Sequence, residues 1–389
     1  MKYFSVPADF KIETIDALYE LNQKFSSSKV VETYGQVTTG TVLSSGRVTN
    51  VLPEVDFRHL EYYVEYSIKK GIEFNYTLNP SCFGNMEFSE YGIEEIIGLL
   101  DSLNSIGVSW LTLTSPSLVE LVKHSSHKFK LKASAICEIN SPGKAAFYKM
   151  LDVDRIVIDP DITRDFKKIR NICKVCGDTV EMIVNNVCYK NCAYKMFHYN
   201  HEAHCTTQNA SQCVKDYYFN RCSMQKAGKI VNFIKLNWVR PEDINFYYES
   251  GVRFFKIQGR QNVLQGDVIK TLECYCKEDF NGNLLDLITI FSPYNAFQPY
   301  IDNKKLDGFI AKFYDNPNFC TEMCDECGYC EKYALKCMNP KEADKLNAQA
   351  LNFYKSYDEF TRLVKRKEHR KTIRKLFDEE SLESKFDFE

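Results

Sequence analysis

Tyr91–Ser115, YGIEEIIGLLDSLNSIGVSWLTLTS, decides the fold class. Apolar residues recur at helical spacing from Tyr91 to Ile106, and a short β-rich run follows at Trp110–Ser115. The alternation extends in both directions. Upstream, the strand candidates are Lys2–Val6, Val30–Val37 and Gly71–Asn79. Downstream they are Lys130–Ile136, Arg155–Asp159, Val180–Asn185 and Phe254–Gln258, with another helical stretch at Ser141–Leu151. Pro241–Asp243 opens a further helix, because proline suits the first turn and acidic residues there complement the helix dipole. Eight strands, nearly all followed by a helix, predict an α/β fold, a closed (β/α)8 TIM-like barrel. A doubly wound open sheet is the alternative. No G-x-G-x-x-G follows the first strand to support it.

The alternation is interrupted once, over residues 186–239, by an insertion rich in Cys, His and Asn. In a barrel it follows strand seven, on the face where barrel active sites form. The barrel is expected to occupy residues 1–294. A Cys-rich segment follows over 295–340, and a charged helical tail over 341–389. The basic stretch Lys365–Lys375, KRKEHRKTIRK, is surrounded by acidic residues. A solvated helix face is expected there, with a weak phosphate-contacting surface as the alternative.

A formal net charge of −2 argues against a globally cationic nucleic-acid binder. No apolar run reaches the length of a membrane span, and the opening MKYFSVPADF lacks the features of a secretory signal. A cytoplasmic protein is therefore expected, and the 16 cysteines are read as free thiols, metal ligands or reactive groups rather than disulfides.

Two thiol constellations stand out. Cys320-x3-Cys324-x2-Cys327-x2-Cys330 places four thiols within eleven residues, a density that suits an iron–sulfur cubane better than the separated knuckles of structural zinc. Its first three cysteines have the spacing of radical S-adenosylmethionine enzymes. Those carry the motif near the start of the barrel, whereas here it comes after the barrel and Cys330 offers a fourth ligand. The second constellation is Cys188-x3-Cys192 with Cys222, expected at the barrel mouth. Its fourth ligand is open between Cys82, which follows the strand ending at Asn79, and the nearer Cys205 or Cys213. Two 4Fe-4S clusters are expected in all, the second either transferring electrons or serving structure.

His201-Glu202-Ala203-His204 is one residue short of a zinc-protease H-E-x-x-H, so hydrogen bonding around a cluster or substrate is the better reading of this region. No G-x-S-x-G elbow and no glycine-rich phosphate loop occurs. Lys256 and Gln258 alternate onto one side of their strand, which in a closed barrel can be the interior. Arg240, Lys256 and Arg260 are the candidate anion-binding residues, Arg260 being suited to a bidentate carboxylate. An ion pair with Glu242 or Asp243 is the competing structural role.

Phe254–Arg260, FFKIQGR, resembles the Lys-Ile-Glu-Gly-Arg strand of peptidase family U32, the collagenase-like peptidases. Phe4-Ser-Val-Pro-Ala8 resembles that family's opening strand, Thr33-Tyr-Gly35 its second, and Val180–Cys192 (VEMIVNNVCYKNC) its strand-then-cysteine segment. The resemblance covers roughly residues 1–290. It implies a barrel-like catalytic domain with a Cys-bound 4Fe-4S cluster, and activity like that of oxygen-independent hydroxylation proteins acting on a ubiquinone precursor or on RNA bases, with prephenate an implied oxygen donor. Gln258 stands where the family has glutamate, Cys188-x3-Cys192 is tighter than in the hydroxylation members, and Cys320–Cys330 is not typical of them. The leading expectation is a redox or hydroxylation enzyme acting on an anionic small molecule. The alternatives are a peptidase with structural metal, and a non-catalytic partner protein docking on a protein or RNA through its tail.

Overall fold

The computed structural model describes residues 1–369 apart from 44, 48–50, 208–213, 215 and 294–296. Cys213, and the basic stretch beyond residue 369, lie outside the described residues. Among the described residues are ten strands: β1 (Lys2–Pro7), β2 (Ser28–Gly35), β3 (Glu73–Leu78), β4 (Trp110–Leu113), β5 (Lys130–Ala133), β6 (Arg155–Val157), β7 (Val180–Ile183), β8 (Asn185–Tyr189), β9 (Leu236–Trp238) and β10 (Phe254–Lys256). The first seven and β10 run parallel and close a barrel in the order β1-β2-β3-β4-β5-β6-β7-β10, with β10 pairing back onto β1. Every barrel strand lies on a segment expected from sequence, and the alternation of strands and helices is that of a (β/α)8 barrel.

The strands form where apolar and polar residues alternate, because a closed barrel has two differing faces. Phe4 and Val6, Phe74 and Tyr76, Leu131 and Ala133, and Val180 and Met182 are buried in the main hydrophobic core between strands and helices. The residues between them face the interior. Helix starts are set by the same short signal after several strands. Ser115 and Ser141 cap helices Pro116–His124 and Pro142–Met150, each with proline in the first turn, and Asp165 and Asp267 cap Phe166–Cys176 and Val268–Lys277. Pro241–Asp243 forms a 3₁₀ turn leading into helix Ile244–Glu249, as its sequence suggests.

The insertion departs from β7 and returns before β10. Its stalk is the antiparallel pair β8–β9, with Asn185 opposite Trp238 and Tyr189 opposite Leu236. It carries helices Lys195–Thr207, Tyr217–Ala227 and Val231–Ile234. The Cys-rich segment is held beside β9 by aromatic packing: Phe309 lies 5.6 Å from Trp238 and stacks on Tyr329, whose hydroxyl donates to the Phe309 carbonyl at 2.9 Å. Short helices Cys324–Cys327 and Tyr329–Cys337 order this segment, and helices Pro340–Tyr357 and Glu359–His369 follow. The tail leans on the insertion through the Arg221 guanidinium over the Tyr354 ring and the Tyr217–Phe360 ring contact. No helix among the described residues is long and apolar enough to cross a membrane.

Candidate active site at the barrel mouth

The barrel interior is ionic, where branched aliphatic layers are usual. Lys132 of β5 pairs with Glu32 of β2 and, at 2.6 Å, with Glu181 of β7; all three side chains are fully buried. Arg155 of β6 reaches Glu32 at 3.0 Å and Glu181 at 3.5 Å, with its guanidinium 3.7 Å from the Phe254 ring centre. Ser5 donates to Glu32 at 2.7 Å. Strands that are not neighbours share these contacts, so the side chains meet through the interior. Burial alone would raise the Glu32 carboxyl, but Lys132, Arg155 and Lys256 together hold it down to about 2.

Lys256 is next along the interior, its Nζ 3.3 Å from the Tyr34 ring centre. It is buried and makes no ion pair among the described residues. Burial, and then the charge of Lys132, pull its ammonium down to about 7 against the opposing pull of Glu181 and Glu32. Arg260 follows at the strand exit, 9% exposed. It donates to Thr77 Oγ1 at 2.6 Å, to Gln36 Oε1, and to the Ser45 carbonyl at 3.2 Å, all neutral acceptors. Burial and the charge of Arg47 lower it to about 10. The sequence-expected Lys256 and Arg260 are thus brought together, with Arg47 close enough to act on Arg260.

Arg240 requires a correction. It is 1% exposed and bound through Nε and Nη2 to both oxygens of Asp243 at 2.8 and 2.9 Å, and through Nη1 to the Asn303 carbonyl and Asp307. Its donors clamp the C-terminal segment to the barrel, which is the structural ion-pair role and not anion binding at the mouth.

Gln258 has a role that its amide explains. Its backbone N–H donates to Asn185 Oδ1 at 2.7 Å, and its side chain donates to the Asn185 carbonyl at 3.3 Å while accepting from Asn186 at 3.4 Å. A glutamate could not make the donor contact. Asn186 Oδ1 in turn accepts from the Cys188 N–H at 2.8 Å, which ties β10 to the first thiol of the insertion.

Helix Lys195–Thr207 crosses the mouth. At its start Lys195 is bound by Asp159 at 2.8 and 2.9 Å, by Asp161 at 3.0 Å and by Glu138 at 3.2 Å, beyond β6 and β5. Further along, Asn200 Oδ1 accepts from Ser81 beyond β3, at 2.6 Å. The ends of β3 and β6 lie three strands apart, so the helix bridges the opening. It carries His198 against Glu202 at 3.5 Å, and Arg47 helps to hold the Glu202 carboxyl low against burial.

Cys188, Cys192 and Cys222 come together at the base of this insertion. Burial pushes the Cys188 thiol up to about 11, and Cys222 adds to the rise in both Cys188 and Cys192. Cys82 lies in the turn after β3, half-buried, and accepts from the Gly84 N–H at 3.3 Å. Cys205 is buried, its Sγ 3.6 Å from His201 Nε2. Cys320, Cys324, Cys327 and Cys330 line a single cavity. Among the described residues no three Cys, His, Asp or Glu side chains stand at ligand spacing as they lie. Sequence reading missed Glu32, Lys132, Arg155 and Glu181, although period-2 alternation in KLKA and VEMI carried the signal. It also missed Arg47 and Lys195, which no local pattern marks.

Comparison with known proteins finds one family. The model of peptidase family U32 matches residues 37–279. An uncharacterized protease of Methanocaldococcus jannaschii is 30% identical over 342 residues, covering 87% of this chain and 98% of that protein. A solved U32 peptidase structure is 17% identical, with a TM-score of 0.47, over 67% of this chain and 94% of that one.

Proposed function

The chain belongs to peptidase family U32, and we propose that it is an enzyme whose barrel mouth binds an anionic small molecule for redox or hydroxylation chemistry that needs no oxygen. One observation carries this reading: the Arg260 guanidinium is buried against neutral acceptors only, with Lys256 and Arg47 as further cations. A buried charge without a counter-charge is costly, and an anion entering the mouth would relieve that cost. Arg260 presents a planar fork suited to a carboxylate or phosphate. Lys256, poised near neutrality, can give or take a proton beside it. Helix Lys195–Thr207 limits the entry of water, which strengthens each of these interactions.

Cys188, Cys192 and Cys222 would hold an iron–sulfur cluster here, with Cys82 or Cys205 as fourth ligand. The donor set fits, since three thiols gathered at one end of the site are the soft ligands such clusters take. When bound, the cluster supplies a one-electron redox centre next to the anion site. Calorimetric titration with mono- and dicarboxylates tests the anion-binding core of the proposal. Wild-type protein is expected to bind at least one of them, with a loss of tenfold or more in Arg260→Gln. Equal affinity in both proteins would overturn it.

The family's peptidase name has one observation of its own in favour, the Cys205–His201 contact, a thiol beside an imidazole that could act as its base. That reading requires peptide cleavage by wild-type protein that is abolished in Cys205→Ala and retained in Cys188→Ala.

A further inference from the structure

Outside the segment matched by the family model, Cys320, Cys324, Cys327 and Cys330 open onto one cavity of about 170 Å³. We propose that these four residues ligate an iron–sulfur cubane, a second metal centre of this chain that stands independently of any cluster in the barrel.

The local fold gathers the four thiols. Helix Cys324–Cys327 is a single turn, and Gly328, at φ +63°, reverses the chain into helix Tyr329–Cys337, so that Cys327 and Cys330 flank the reversal. A residue with a side chain would be strained at that angle. Phe319 and Tyr329 wall the cavity with ring centres 4.9 Å apart, and Phe313 packs on both. Lys229 and Lys235 line it as well, with Glu322, Asp325 and Glu331.

Ligand chemistry and size point to the occupant. A structural zinc ion draws four sulfurs to about 2.3 Å and leaves no lumen between them. A water needs only about 10–15 Å³ of such space, so this cavity has room for a group of several atoms. Four thiolates on a cubane core leave a net charge of about −2, and the lining sets Lys229 and Lys235 beside Glu322, Asp325 and Glu331, so the thiols and the space rather than charge favour a cubane. The aromatic wall of Phe319 and Tyr329 shields one side from water, which would tune the potential of a bound cluster. Cys320, Cys324 and Cys327 are exposed and do not stand at ligand spacing as they lie, so the loop draws in on the group as it assembles. Each thiol gives up its proton on ligation, so loading is favoured by rising pH.

The test uses the full chain, purified without oxygen and reconstituted with ferrous iron and sulfide. Iron, acid-labile sulfide and zinc are measured, and the dithionite-reduced protein is examined by electron paramagnetic resonance. The Cys324→Ser/Cys327→Ser variant is expected to lose about four irons and four sulfides relative to wild type, with its far-ultraviolet circular dichroism unchanged. Cys320→Ser, at an exposed position that leaves the core intact, is expected to lose the same resonance. Unchanged iron and sulfide in both variants would overturn the proposal, and so would zinc without sulfide at these cysteines. Cys188→Ala, measured in parallel, reports on the barrel thiols alone, so failure of one assignment is distinct from failure of the other.

Discussion

Lys190 and Glu322 meet at 2.6 Å and join the two thiol-rich segments. Lys190 lies between Cys188 and Cys192 and Glu322 between Cys320 and Cys324, so one ion pair fastens the loop of each constellation to the other. Asn191 adds a second tie, donating to the other Glu322 oxygen at 2.9 Å. The segments are distant in sequence and belong to different parts of the chain. An electron route or a shared mechanical support would both need this proximity.

The pair is partly exposed, and such pairs contribute about 0–1 kcal/mol. Glu322→Ala is therefore expected to change the urea midpoint little while loosening the 320–327 loop. Limited proteolysis and amide exchange should show faster cleavage and exchange in that loop alone. A large drop in global stability would mean that the tie supports the barrel itself.

The ionic interior makes a stronger demand. Glu32→Gln leaves Lys132 and Arg155 sharing Glu181 alone, in a site buried from solvent. Breaking a buried pair in this way costs about 3–5 kcal/mol, read as a shift in denaturant midpoint. The pH dependence follows from the Glu32 carboxyl, held at about 2 in the folded protein against 4.5 ordinarily. A depressed acid stabilises the fold above its unfolded value, so this contribution is complete above about pH 4.5 and is lost as pH falls towards 2. Glu32→Gln should flatten the acid limb of the stability profile in that window.

Lys256 has the opposite dependence. Its folded value of about 7 lies below the ordinary 10.5, so between these values the unfolded chain holds the proton and the folded one does not. Its burial therefore weighs on stability below about pH 7, and the penalty fades as pH rises from 7 towards 10.5. Lys256→Met should stabilise the protein at pH 6 more than at pH 9. Anion binding should also weaken above pH 7 in wild type, by up to about tenfold per unit, as the neighbouring ammonium loses its proton. A Kd that is flat from pH 6 to 9 would separate Lys256 from the anion site.

The barrel was legible because each strand must bury an outward apolar row, and Phe4/Val6, Leu131/Ala133 and Val180/Met182 display it at period two. The same alternation marked Lys132 and Glu181 as interior, yet charged positions on a strand ordinarily read as a solvated face, so the ion network went unseen. The nearness of Lys256 and Arg260 was legible because they lie at and just past the end of one strand. Arg240 stayed open between anion binding and an ion pair with Glu242 or Asp243, because part of what holds it, the Asn303 carbonyl and Asp307, lies more than sixty residues further on. Arg47 and Lys195 enter the site through loop and helix placement, which no local spacing encodes. The four cysteines of the C-terminal loop were legible as a group, but their cavity and its tie to Lys190 depend on how Phe309 packs beneath Trp238.

Arg240 and Arg260 should separate stability from binding. Both are buried guanidiniums, but Arg240 is satisfied by two carboxylates and a carbonyl, whereas Arg260 has neutral partners only. Arg240→Met strands the buried Asp243 carboxyl, which burial already raises and which Arg240 holds against that rise. The cost is about 3–5 kcal/mol, with anion affinity unchanged in the protein that remains folded. Arg260→Gln removes an unpaired buried charge, so stability should hold or rise while carboxylate binding falls. Denaturant unfolding and calorimetric titration of both variants decide the matter. Loss of binding in Arg240→Met without loss of stability would return Arg240 to the site and reverse the assignment.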